Sequence, residues 1–157
     1  MIRVGQGFDI HRFSSDPTRL LTLGGITIDG ARGLEGHSDA DVVTHALIDA
    51  LLGAAGLGDI GELFPDSDAS IRGISSMAML EATITTLGQA GFRPVNADVT
   101  VVAEVPKLGP DKERIAHSLT HALAVPVSVK ATTTERLGPL GAREGMAALC
   151  VALVEQL

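Results

Sequence analysis

Residues 37–66, HSDADVVTHALIDALLGAAGLGDIGELFPD, constrain the fold more than any other stretch. The stretch opens on a polar loop, runs through Ala, Leu and Val, and ends in the glycines of GAAGLGDIG. Ser38 with Asp41 three residues on is close to a capping box with Asp in place of Glu, so a helix is predicted to start there. At about 100° per residue, Val43, Ala46, Leu47, Ala50, Leu51 and Ala54 fall on one broad apolar arc. Asp41, His45 and Asp49 form a polar stripe on the other side, between Ile48 and Leu52. Polar groups among apolar neighbours sit in a partly dry pocket. A dry imidazole between two carboxylates needs partners, and a metal ion is one such partner. The plain alternative is a helix whose polar side faces water. Ligands elsewhere in the chain decide between the two.

The N-terminus supplies candidates. In MIRVGQGFDIHRF, Ile2, Val4, Phe8 and Ile10 alternate with Asp9, His11 and Phe13, a strand pattern in which Gly5 and Gly7 allow a bulge or a close approach. Asp9 and His11 are two apart and therefore share a face. That places a carboxylate and an imidazole at one point in space, or else describes the wet face of an edge strand. With His45 they make a 2-His-1-carboxylate set, which suits zinc with an open fourth position. Non-haem iron uses such a set too.

Composition narrows the chemistry. The 157 residues suffice for one domain, residues 1–157, with a real core. That core must be aliphatic, because the chain has four Phe and neither Tyr nor Trp. A formal charge of −7 argues against nucleic-acid binding by phosphate neutralisation. A small phosphorylated substrate then requires metal ions as the source of positive charge. The single Cys150 lies in an apolar run and reads as a buried, inert thiol. With no signal peptide and no membrane-length apolar run, the expected location is cytoplasmic, away from membranes.

Along the rest of the chain, residues 20–28 read as a second strand, the expected hairpin partner of the first. Residues 75–89 have helical spacing closed by Gly91, residues 96–104 are β-branched, residues 111–124 form a helix and residues 125–134 a strand. Residues 145–157 are apolar at nearly every position, which fits either a buried helix or a strand buried on both faces; Ala and Leu favour helix. The expected fold is an α+β two-layer sandwich, a mixed four- to five-stranded sheet with helices on one face. A bare opposite face would call for self-association.

Other constellations are weaker. His117 and His121 have helical metal-binding spacing but lie opposite Ile115, so they are expected to face water. Thr132, Thr133, Thr134 and Glu135 follow a strand and can hold a phosphate and its cation, or form a turn. Lys107 stands between prolines and can meet a phosphate.

Taken together, GFDIH, GHSDADVVTHALIDALLGAAGLGDIGELFPDSD, EVPKL and VKATTTERLG resemble the 2-C-methyl-D-erythritol 2,4-cyclodiphosphate synthase family of non-mevalonate isoprenoid synthesis. The resemblance runs from residue 2 to the C-terminus. It implies a homotrimer with sheets packed around the trimer axis and active sites between subunits, and it makes the C-terminal run a strand. It implies zinc on Asp9, His11 and His45, with Ile10 in the substrate site. His37 and Ser38 would contact the substrate phosphates. Asp59, Ile60 and Gly61, with Phe64, Pro65, Asp66, Ser67 and Asp68, would hold the methylerythritol part. Ala103, Glu104, Val105, Pro106, Lys107, Leu108 and Gly109 would form the cytidine and phosphate pocket with Ala131, Thr132 and Thr133 of a neighbouring subunit, and Thr134 would also belong to the substrate site. Glu135 would carry a second cation, Mg²⁺ or Mn²⁺. His37 and Thr133 would assist catalytically, and Asp49 is expected to orient a ligand imidazole from behind.

One segment departs from the family pattern. Gly138 to Gly145 reads GPLGAREG, with Arg143 one place late and Pro139 where an aromatic is common. Pro139, Ala142 and Arg143 therefore fit poorly as binders of a diphosphate near the trimer axis. The implied reaction is intramolecular phosphoryl transfer releasing CMP. A zinc phosphoesterase and a trimeric scaffold without turnover are the alternatives.

Overall fold

The structure, a computed structural model, describes every residue except Asp66 and Arg72. Strand β1 (Ile2–Arg12) pairs antiparallel with β6 (Gly145–Gln156), β6 pairs antiparallel with β4 (Phe92–Val102), and β4 pairs parallel with β5 (Val127–Thr132). The order is β1-β6-β4-β5, so β1 and β5 are the two edges. This is the mixed, four-stranded version of the expected sheet.

The helices α1 (Val42–Ala55), α3 (Ser76–Gln89) and α4 (Asp111–Leu123) cover one face. Helix α1 lies against β1 and β6, and α3 packs on α1. Twelve of the fourteen residues of α1 are buried, and only Asp49 and Gly53 escape. Gly5 and Gly7 explain how α1 comes so close to β1. A Cβ on Gly5 would stand 2.0 Å from Ala50 O, and one on Gly7 would stand 1.9 Å from Ala46 O. Two positions without side chains therefore let helix backbone rest on strand backbone.

Strand β6 follows the family expectation rather than propensity. Met146, Ala148, Cys150, Ala152 and Val154 face the helices and are buried. Burial pushes the Cys150 thiol up to about 12, which makes it the inert thiol expected from its apolar setting. On the opposite face Ile2, Val4, Phe8, Ile10 and Val151 are exposed by about half or more (47–65%). That apolar surface is the bare face anticipated for such a sheet.

Two local expectations change. Residues 20–28 do not pair with β1; they fold on themselves as β2 (Leu21–Leu23) and β3 (Ile26–Ile28), with Gly24 and Gly25 at positive φ in the turn. The glycine break is itself the hairpin turn. Helix α1 starts at Val42 with Asp41 as its cap, not Ser38. Asp41 accepts from Gly24 N, Gly25 N, Thr44 N and Thr44 Oγ1, so it ties the hairpin to the helix. Burial pushes its pKa up while those donors oppose the shift. His117 and His121 are exposed on α4, as expected. No helix of the described residues is long and apolar enough to cross a membrane.

Candidate active site

Strand β1 presents Asp9 and His11 toward α1, and the close approach at Gly7 brings His45 over them. Asp9 Oδ2 lies 2.9 Å from His11 Nε2 and 3.0 Å from His45 Nδ1, and the two ring nitrogens are 3.3 Å apart. The three groups meet the geometric requirement for sharing a cation. Tetrahedral zinc with bonds of about 2.0–2.1 Å needs ligand atoms roughly 3.3 Å apart. The observed triangle is close to that size.

The second nitrogens point the same way chemically. His11 Nδ1 is 2.6 Å from Glu35 O, so it donates there and leaves Nε2 as a bare lone pair. An imidazole lone pair and a carboxylate then converge on one point, which only a cation or an extra proton can satisfy. With protons in place of a cation, burial raises the Asp9 pKa, but the hydrogen bonds that the protonated His11 and His45 then donate, and their charges, outweigh it and hold the carboxyl well below its usual range. Burial lowers the His11 pKa, yet the bond to Asp9 and its charge outweigh that and raise it from 6.5.

The triad opens into a cavity of about 410 Å³ lined by His37, Ser38, Ile60, Gly61, Phe64 and Pro65, among others. Sequence reasoning also missed the apolar wall of Ile71, Ile74 and Met79. Arg19 was missed as well: its guanidinium donates to Gly36 O at 3.0 Å and Ser38 O at 2.7 Å, which holds the His37 loop. No motif marks it, because both bonds go to backbone.

Several expected contacts lie elsewhere. Ile10 points to the opposite face of β1 from Asp9 and His11 and is 50% exposed. Asp59 caps the short helix α2 (Ile60–Leu63) by accepting from Glu62 N. Ser67 and Asp68 are exposed outside the cavity lining, and Asp68 accepts from Ser70 N. Asp66 falls outside the described residues. Asp49 bonds neither imidazole: its Oδ1 accepts from Ile60 N at 2.8 Å, which pins α2 to α1. Burial pushes the Asp49 pKa up, and that same bond opposes the shift.

A second cavity, of about 200 Å³, sits at the C-terminal ends of β4 and β5. Its lining includes Ala103, Pro106, Lys107, Leu108 and Gly109 together with Ala131, Thr132 and Thr133. Both sets therefore belong to one chain, contrary to the expectation that residues 131–133 come from a neighbour. The cause is the parallel pairing of β4 with β5, which sets Val101 beside Ala131 and Val102 beside Thr132. Lys112 joins Lys107 there, a local pair of cations in an acidic protein. Glu104 Oε1 accepts from Thr134 N, Thr134 Oγ1 and Arg136 N, so it shapes the turn beside the cavity. Glu135 is exposed in that turn, with Thr133 Oγ1 3.3 Å from its Oε1. Val105, Pro106 and Arg143 line a separate cavity with Arg32. Pro139 borders another, and Ala142 ends the short helix α5 (Gly138–Gly141).

The two sites share one row of the sheet. Asp9 pairs with Ala148, Ala148 with Val101, and Val101 with Ala131. They are thus at the same end but on opposite edges, three strand spacings or about 14 Å apart.

Known proteins resemble this chain along its whole length. The chain is 52% identical over 157 residues to the 2-C-methyl-D-erythritol 2,4-cyclodiphosphate synthase of Desulfatibacillum aliphaticivorans, covering 98% of this chain and all of that one. The bifunctional IspDF of Campylobacter jejuni superposes with a TM-score of 0.94 at 42% identity, over 100% of this chain and 43% of that one. The IspF of Plasmodium falciparum, solved as a CDP complex, superposes with a TM-score of 0.84 at 32% identity, over 99% and 96%. The YgbB family model matches residues 2–155, and the chain belongs to the YgbB family.

Proposed function

We propose that this chain is a 2-C-methyl-D-erythritol 2,4-cyclodiphosphate synthase. It converts 4-diphosphocytidyl-2-C-methyl-D-erythritol 2-phosphate to the 2,4-cyclodiphosphate, with release of CMP. The single observation that carries this is the convergence of Asp9, His11 and His45 on one point at the mouth of a cavity large enough for a phosphorylated polyol.

In the reaction a 2-phosphate oxygen attacks the β-phosphorus of the diphosphocytidyl group. The bond from that phosphorus to the bridging oxygen breaks, and CMP leaves with the oxygen. The nucleophile is already an anion, so the chain supplies no strong base. It must instead hold two anions in line. His37 and Ser38 orient the phosphates; Gly61, Phe64 and Pro65 enclose the methylerythritol part. Lys107 and Thr133 grip the nucleotide end. Zinc is the ion we assign to Asp9, His11 and His45, and Mg²⁺ or Mn²⁺ to Glu135. When bound, these ions neutralise phosphate charge that an acidic protein cannot.

We also propose that the working unit is a homotrimer with the site between subunits. Support comes from the apolar face of β1 and β6, and from the metal and nucleotide cavities lying on opposite edges of one sheet. A neighbouring copy would bring one chain's nucleotide cavity to another's metal ligands. A cytoplasmic location goes with this reading, consistent with a lone, buried cysteine.

Turnover in ¹⁸O-water tests the chemistry. A cyclase gives product without solvent oxygen, whereas a phosphoesterase gives a labelled bisphosphate. If stripping the metal leaves CMP release unchanged, the metal-assisted reading fails.

A further inference from the structure

Ser76 is fully buried at the first position of α3, yet its hydroxyl is fully engaged. Ser76 Oγ lies 2.8 Å from His45 Nε2 and also hydrogen-bonds Asp39 Oδ1. Asp39 Oδ2 accepts from Ser76 N at 3.1 Å, and Asp39 Oδ1 lies 3.3 Å from Asp41 N. An ionised carboxylate only accepts, so the one hydroxyl proton of Ser76 goes to Asp39. Ser76 Oγ must then accept from His45, which puts the imidazole proton on Nε2. His45 Nδ1 is left as a bare lone pair aimed at Asp9 and His11.

We propose that Ser76 and Asp39 are positioning residues for His45. They fix its tautomer and ring angle so that Nδ1 is the metal-binding atom. This is the outer-ligand role expected of Asp49, whose carboxylate instead accepts from Ile60 N. Ser38 Oγ also approaches Nε2, but at 3.3 Å and while accepting from Ala40 N, so it is the weaker partner. The relay joins α3 to α1 across 31 residues of sequence. The segment between them includes Ile71 and Ile74 of the cavity wall.

The inference rests on the metal reading above, and direct metal binding separates the two. Metal-stripped wild type and Ser76→Ala are titrated with Co²⁺ against a chromophoric chelator. The relay predicts wild-type binding and a roughly 10–100-fold loss in Ser76→Ala, with recovery in Ser76→Thr. No binding by wild type overturns the metal reading and this one with it. Equal binding by wild type and Ser76→Ala overturns the relay alone. A second measurement needs no variant. Nitrogen-15 spectra of the wild-type histidines in the zinc-loaded protein must show His45 protonated at Nε2, and a proton on Nδ1 overturns the assignment.

Discussion

His45 Nδ1 lies 3.0 Å from Asp9 Oδ2, although the two residues are 36 positions apart and belong to a helix and a strand. Nothing in either residue brings them together. The contact exists because α1 rests on β1 where Gly5 and Gly7 carry no side chain, and the axis of α1 then carries His45 over the next outward pair, Asp9 and His11.

Gly7→Ala tests that dependence. Its new methyl would meet the Ala46 carbonyl, which is backbone and cannot turn aside. Overpacking of this kind destabilises by about 1–3 kcal/mol, and more where backbone must move. Helix and strand must separate, so metal affinity falls as well as stability. Chemical denaturation and metal analysis of the purified variant measure both. Wild-type values for the two together would show that the glycines do not set the site.

The pH dependence of the metal-free and loaded protein should diverge. With no metal, the raised pKa of His11 gives a stabilising contribution that is full below its ordinary 6.5 and lost as pH rises through the folded value. The depressed pKa of Asp9 works in the other direction: its contribution is present above 3.8 and lost as pH falls through the folded value. A bound divalent ion requires bare imidazoles, so loading becomes more favourable as pH rises. The melting-temperature gap between zinc-loaded and chelated protein should therefore widen between about pH 6 and about pH 8. A gap that narrows over that range would contradict the assignment of His11 and His45 as ligands.

Much of this was legible in the chain because period and punctuation agree. Residues 42–55 repeat at helical spacing and end in glycines, and residues 76–89 do likewise. The parts that were not legible share a cause: long-range pairing. Residues 20–28 alternate like one strand, and only pairing shows that Gly24-Gly25 folds them on themselves. The C-terminal run has the composition of a helix, but burial on one face and a neighbour on each side make it a central strand. Asp49 shares a stripe with His45, yet the first residue of α2 supplies it with a backbone donor, Ile60 N. Asp39 and Ser76 carry no metal-binding motif, since each acts through another side chain.

Lys107→Ala should weaken the nucleotide end alone. The side chain borders the cavity at the ends of β4 and β5, on the edge of the sheet far from the triad. A charge-assisted hydrogen bond to phosphate is worth about 1.5–3 kcal/mol, so CDP affinity should drop by roughly 10- to 100-fold. Metal content and melting temperature should stay at wild-type values. Calorimetric titration with CDP reads the effect, and an unchanged dissociation constant would remove Lys107 from the site.

Phe8→Glu should separate folding from catalysis. Phe8 pairs with Leu149 of β6 and stands 53% exposed on the uncovered face, beside other apolar side chains. A carboxylate there costs a lone chain little, because that side already meets water, but burying it between copies without a partner would cost several kcal/mol. The variant should sediment as a monomer while its circular dichroism and Co²⁺ affinity match wild type. CMP release should be lost, because one chain holds the triad and the cavity proposed for the nucleotide about 14 Å apart on opposite edges. A monomeric variant with full turnover would mean that a single chain completes the site, and the between-subunit assignment would have to be abandoned.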